Sequence, residues 1–180
     1  MKENKSKYAI MGMLSMGSVS GYDIKKRFEK SLSYFWNESY GQIYPILKKL
    51  AKQGLATISI EKQTGKPDRH VYALTDKGRK VLQDWMVQPV DRQIGRHEIL
   101  LKLFFGQHVS VADNIRQVEH FRKQQSQNLE EIKATEKLLK ADYEDNPSLP
   151  YWLLTVNYGL RVNRAYLRWC EETLAVLKKM

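Results

Sequence analysis

Tyr40, Gln42 and Tyr44, followed by Lys48 and Lys49, bring two phenols, a carboxamide and two ammonium groups into ten consecutive residues. Phenols and carboxamides both donate and accept hydrogen bonds, and a lysine is a compact point charge for anionic oxygens. Together they suit a ligand with flat polar edges beside a row of anions, the chemistry of a duplex groove and its phosphates. In that reading Gln42 pairs with adenine, Tyr40 and Tyr44 meet methyls or phosphates, and Lys48 and Lys49 hold the backbone. Ser39 joins this contact set and also stands where a helix N-cap would be. A second basic pair, Lys66 and Arg69, lies in Gly65-Lys66-Pro67-Asp68-Arg69. That stiff turn would press two cations against a phosphate or into a narrow minor groove, with Asp68 bracing Arg69. The plainer alternatives are that Tyr44 packs with Ile43, that the lysines are a solvated face, and that the tip is an ordinary loop.

These side chains need a rigid frame, and the surrounding pattern predicts one. Ile43, Ile46, Leu47 and Leu50 form an apolar stripe at helical spacing, with Gly54 as the stop. The polar residues fall on the opposite side of that helix. Pro45 is an irregularity, because a proline inside a helix lacks an amide and crowds the carbonyl four residues back, at Gly41. From Leu55 the period changes to two: Ile58 and Ile60 alternate with Thr57, Ser59 and Glu61, the Gly65 turn intervenes, and Val71, Tyr72 and Leu74 follow. Thr75 can cap a further helix that buries Val81, Leu82 and Trp85. Upstream, Ile10, Met13 and Leu14 mark a first helix over residues 7–16. Ser20, three residues before Asp23, caps a second whose outer face is Lys25-Lys26-Arg27. Helix, helix, reading helix and two-stranded ribbon in this order describe a winged helix-turn-helix.

Residues 86–95 contain both Pro89 and Gly95 and mark a boundary. Beyond it the chain reads as helical: a short helix over 98–105, then long ones over 111–143 and 149–178. Val111, Ile115, Val118, Leu129, Ile132, Leu139 and Tyr143 approach a three-four repeat in the first long helix. Trp152, Val156, Gly159, Asn163, Tyr166, Cys170 and Leu177 do so in the second. Helices of this length span about 45 Å, too far for a small domain to cover, and call for the same helices of a second copy. Arg122, Gln125 and Glu136 interrupt the first stripe where the repeat asks for apolar residues. The expected fold is mainly α with a small β-hairpin: an N-terminal winged helix-turn-helix over 1–88 and a C-terminal α-helical dimerisation domain over 96–180.

Charge agrees with this division. Of a net +10, residues 1–90 carry +8 and residues 91–180 carry +2, so the excess sits in the half with the proposed groove-reading helix. The single cysteine, Cys170, excludes an internal disulfide and suits a reducing compartment; with no apolar run of membrane-spanning length, a cytoplasmic location is expected. Signals for catalysis are poor. His70, His97, His108 and His120 have no metal-ligand spacing, and Gly17-Ser18-Val19-Ser20-Gly21 puts valine where a nucleophilic serine would stand. No enzyme activity, metal or cofactor is expected. Trp36, Trp85, Trp152 and Trp169 either pack in cores and interfaces or line a pocket for a planar effector. The competing classes are a winged-helix protein-interaction module and a non-specific nucleic-acid binder without effector control.

Three runs carry a resemblance to a known family. Gln42-Ile43-Tyr44-Pro45-Ile46-Leu47-Lys48-Lys49-Leu50 with Gly54-Leu55 is the first, and Gly65 through Arg79 is the second. They resemble the PadR family of bacterial transcriptional regulators. Glu98-Ile99-Leu100-Leu101-Lys102-Leu103-Phe104-Phe105 is similar to the start of the C-terminal helical domain in its longer members, those like the phenolic-acid-responsive repressors and the virulence activator AphA. The resemblance implies that Pro45 is tolerated, that the chain is a homodimer through its C-terminal helices, and that it binds double-stranded DNA at a pseudo-palindromic operator, as a repressor released by an effector. Members of the family answer to phenolic acids, drugs or other signals. No ligand motif matches onto the C-terminal helices here, so effector-binding residues stay unassigned.

Overall fold

A computed structural model describes residues 4–32, 34–63, 65, 68–91 and 95–180. Lys66 and Pro67 of the basic tip, and residues 92–94 of the predicted boundary segment, lie outside the described residues. The chain divides into two compact units, Met1–Asp91 and Arg92–Met180.

The first unit comprises α1 (Ser6–Ser15), β1 (Val19–Ser20), α2 (Gly21–Ser31), α3 (Tyr40–Lys52), β2 (Ala56–Glu61), β3 (Arg69–Leu74) and α4 (Asp76–Met86). Its helix ends are built by local chemistry. The Ser20 hydroxyl accepts the Asp23 amide at 3.3 Å, while the Asp23 carboxylate accepts the Ser20 amide at 3.0 Å, a reciprocal cap that starts α2. Gly54 ends α3 at φ +68, which lets the Leu55 amide reach back to the Leu50 carbonyl at 2.9 Å. Thr75 starts α4 by accepting the Gly78 amide at 3.0 Å, and its own hydroxyl donates to the Gly54 carbonyl at 2.8 Å. Pro45 sits within α3 without displacing its start, since the helix begins at Tyr40, directly after Ser39.

The ribbon has a third member that the sequence pattern did not reveal. Two residues of β1 pair antiparallel with β3, Val19 opposite Tyr72 and Ser20 opposite Val71, so the sheet order is β1-β3-β2. This places β3 centrally, with Val71, Tyr72 and Leu74 buried. The alternating Ile58 and Ile60 of β2, an edge strand paired on one side only, are 48% and 59% exposed, against the burial that their alternation predicts. The core joins Ile10, Met11 and Leu14 of α1, Ile24 and Phe28 of α2, and Ile43, Leu47 and Leu50 of α3. Trp36 and Trp85 pack at its margin, the latter stacked on Tyr8 with centroids 4.3 Å apart.

The second unit holds α5 (Glu98–Phe104), α6 (Val111–Asp142) and α7 (Leu149–Leu177). Val118, Leu129, Ile132 and Leu139 of α6 are buried, as are Val156, Leu160, Cys170 and Leu174 of α7. The repeat frays at its ends, where Val111 and Tyr143 are exposed. Of the interrupting residues, Arg122 is exposed, and Gln125 and Glu136 are half-buried, with Glu136 held by Lys140 at 2.7 Å. Burial pushes the Cys170 thiol pKa up and keeps it a neutral, unreactive packing group.

Candidate nucleic-acid interface

Helix α3 is fixed from behind. Ile43, Leu47 and Leu50 are 0%, 0% and 1% exposed, whereas Tyr40, Gln42, Tyr44, Lys48 and Lys49 are all exposed. The sealed stripe sets the helix rotation, so the exposed set presents as one surface. Tyr40, Tyr44 and Lys48 recur every fourth residue and therefore line one edge of it. The tyrosine rings of Tyr40 and Tyr44 lie nearly parallel, 6.3 Å between centroids. Partial burial, then the neighbouring Tyr22 and Glu29, push the Tyr40 pKa above its ordinary value.

Gln42 has a duty in the free chain. Its side-chain carbonyl accepts both the Ser39 amide at 2.9 Å and the Ser39 hydroxyl at 2.8 Å, which holds the first turn of α3. Pairing with adenine uses the carbonyl and the amino group of a carboxamide together. The carbonyl's two acceptor sites are both taken, so bidentate reading by Gln42 requires release of at least one of the bonds to Ser39.

Arg69, the first residue of β3, is committed to carboxylates. Its guanidinium pairs with Asp23 of α2 and with Glu61 across the ribbon, the latter at 3.3 Å. The brace expected from Asp68 is supplied by these two residues instead. Asp23 lies 46 positions away and reaches Arg69 because β1 carries the start of α2 onto β3. One carboxylate thus caps α2 and anchors the base of the wing. Burial works against the charged form of Asp23, but the Ser20 hydroxyl, the Arg69 guanidinium and the Ser20 amide outweigh it and hold the pKa below the ordinary 3.8.

This anchor has a measurable consequence. A depressed carboxylate pKa stabilises the fold above the unfolded value near 3.8, and that contribution is lost as pH falls through the folded value. Arg69→Gln is expected to lower stability at neutral pH only modestly, since the pair is part-exposed. It should also shrink the stability lost between about pH 5 and about pH 3, because Asp23 then titrates closer to its unfolded value. Urea denaturation at both pH values checks this. An identical acid loss in the variant and the parent would remove Arg69 from the anchor.

One side chain missed by the pattern reading belongs with this surface. Tyr22 of α2 is 53% exposed and stacks on Tyr40, with centroids 6.3 Å apart. The spacing Tyr22, Lys26, Lys30 is the available signal, a four-residue repeat like that of Tyr40, Tyr44, Lys48. Among the described residues no group of histidine, cysteine and acidic side chains is arranged to hold a metal ion, and no helix is long and apolar enough to cross a membrane.

Comparison with known proteins accounts for both units. Residues 10–84 match the model of the transcriptional regulator PadR-like family, and residues 95–178 match that of the virulence activator alpha C-terminal domain. The negative transcriptional regulator PadR of Bacillus subtilis is 31% identical over 179 residues, covering 96% of this chain and 97% of that protein. Its crystal structure in complex with operator DNA superposes with a TM-score of 0.81 at 30% identity, over 97% of this chain and 99% of the other. Its complex with p-coumaric acid gives 0.73 at 30% identity over 99% of each. The Vibrio cholerae virulence activator AphA gives 0.74 at 28% identity over 97% and 98%. Full-length similarity at this level, on a frame whose exposed helix face is phenolic and basic, places the chain in the PadR-like family of transcriptional regulators, not among the enzymes.

Proposed function

We propose that the chain is a cytoplasmic, homodimeric repressor that holds a pseudo-palindromic operator and is released by a small-molecule effector. The observation that carries this is the two-faced α3, sealed by Ile43, Leu47 and Leu50 and presenting Tyr40, Gln42, Tyr44, Lys48 and Lys49. Residues 1–88 act as the DNA-binding part and residues 96–180 as the dimerisation part. Ser39 sets the start of the reading helix, Lys48, Lys49 and Lys66 meet phosphates, and Arg69 braces the start of β3. The operator complex of the Bacillus relative supports the DNA reading, and its p-coumaric acid complex supports control by a small molecule. For the dimer, the support is apolar surface that a single copy leaves uncovered, including Leu101 at 61% and Phe104 at 81%.

Selection of bound duplexes from a random pool tests the proposal. The enriched sequence should contain two inverted half-sites centred about 10 base pairs, or a multiple of that, apart. At physiological salt it should bind roughly 1,000-fold or more tightly than a mixed-sequence duplex. Enrichment of no sequence, with equal affinity for every duplex, would refute operator binding.

A further inference from the structure

Where α2 meets α3, three tyrosines form a continuous ladder. Tyr22 stacks on Tyr40 and Tyr40 on Tyr44, each step 6.3 Å, with interplanar angles of 14° and 22°. All three are 40% exposed or more, an unusual amount of aromatic surface to leave in water without a partner. The ladder is built, not incidental. A Cβ at Gly21 would lie 2.7 Å from the Tyr44 ring, so the missing side chain opens the slot in which that ring crosses the start of α2. Lys26 stands over the Tyr22 ring at 5.6 Å, and Lys30 continues the same edge, exposed. The nearby carboxylates are spoken for: Asp23 by Ser20 and Arg69, Glu29 by Lys25 at 3.5 Å. The edge is thus phenolic, with Lys26 and Lys30 as its cations and each nearby carboxylate paired with a base.

That composition fits a line of phosphates. Phenol hydroxyls and ammonium groups are donors to phosphate oxygens, and in a helix-turn-helix the helix preceding the reading helix crosses the sugar-phosphate backbone. We propose that Tyr22 and Lys26 of α2 are phosphate contacts, joined with Tyr40 and Tyr44 into one ladder that grips a single strand of the duplex beside the groove. This rests on the DNA-binding reading above and extends it to a helix outside the reading helix and wing. The ladder fixes position on the duplex and carries no sequence information of its own.

The test compares Tyr22→Phe, Lys26→Gln and Gly21→Ala with the parent, on the enriched duplex and on a mixed-sequence 30-base-pair duplex. Tyr22→Phe removes one hydroxyl and should weaken both duplexes by about fivefold, leaving their ratio unchanged. Lys26→Gln should weaken both and reduce the slope of log affinity against log salt by about 0.9. Gly21→Ala should displace the Tyr44 ring and weaken binding while the melting temperature holds or rises, since alanine is the better helix former. Parental affinity and slope in all three variants, with binding lost in Lys48→Gln, would remove α2 from the interface while leaving the DNA reading intact. A changed ratio between the two duplexes would make Tyr22 or Lys26 a base reader and overturn the phosphate role. If the parent binds neither duplex, the DNA reading itself fails.

Discussion

Gly78→Ala is expected to lower the melting temperature of the first unit by roughly 10–20 °C. The added Cβ would lie 2.2 Å from the Leu55 carbonyl oxygen, 2.7 Å from Leu74 Cδ1 and 3.1 Å from the Leu55 carbonyl carbon. The leucine side chain can rotate away, but the carbonyl cannot. Its oxygen accepts the Thr75 amide at 3.1 Å, and Thr75 is itself tied to the Gly54 carbonyl at 2.8 Å. The start of α4 therefore rests directly on the turn that closes α3, and an extra methyl forces the two apart. Overpacking against backbone belongs at the upper end of the usual range, about 3 kcal/mol, and each kcal/mol moves the midpoint of a unit this size by about 4–8 °C. Circular dichroism melts of Gly78→Ala check this, with Gly12→Ala as the control. Gly12 lies in α1 with nothing within 4 Å of its would-be Cβ, so that variant should melt no lower than the parent. A Gly78→Ala midpoint within about 2 °C of the parent would show that α4 is not seated on Leu55 in this way.

Gly78 also illustrates what the sequence discloses and what it withholds. The caps at Ser20 and Thr75, the stop at Gly54 and the sealed stripe of α3 were legible because each depends on residues within four or five positions of one another. Contacts made by chain crossing were not. The Arg69 to Asp23 pair, the stacking of Tyr22 on Tyr40 and the pairing of β1 with β3 all depend on where the loop after α1 brings α2, and a two-residue strand leaves no period to read. Gln42 shows a different limit. Its carbonyl serves equally as a helix cap and as half of an adenine contact, so its spacing from Ser39 is compatible with either duty. In the second unit, helical periodicity marked the long helices well, but it cannot separate apolar residues covered within one chain from those that await another copy.

That last ambiguity bears on Leu101→Glu combined with Phe104→Glu, which is expected to turn the proposed dimer into a monomer and to weaken operator binding by about 100-fold or more. Helix α5 is apolar on both sides. Ile99 and Leu103 pack against the cluster of Val118, Cys170 and Leu174, while Leu100, Leu101 and Phe104 on the other side are 49%, 61% and 81% exposed. Only the edge carrying the Glu98–Lys102 ion pair is polar, and a helix with so wide an apolar surface is ordinarily buried on more than one side. The first half of α7 repeats the pattern, with Tyr151, Leu154 and Tyr158 exposed at 71%, 69% and 61% along one stripe. Two carboxylates on the outer side of α5 leave Ile99 and Leu103 untouched, so the helical content of the variant should stay near that of the parent, while its melting temperature falls by the stabilisation that association gives. What changes is the cost of bringing a second reading helix to the second half-site. In a dimer the first half-site tethers it at millimolar effective concentration, whereas two monomers must each be captured from solution. Sedimentation at about 10 µM should therefore report one chain per particle, and the salt dependence of binding should fall to about half that of the dimer, because each particle then displaces the counterions of one half-site. A variant that still sediments as a dimer, or a monomer that holds the enriched duplex with undiminished affinity, would separate dimerisation from this face of α5 and leave the half-sites without the coupling that a pseudo-palindrome requires.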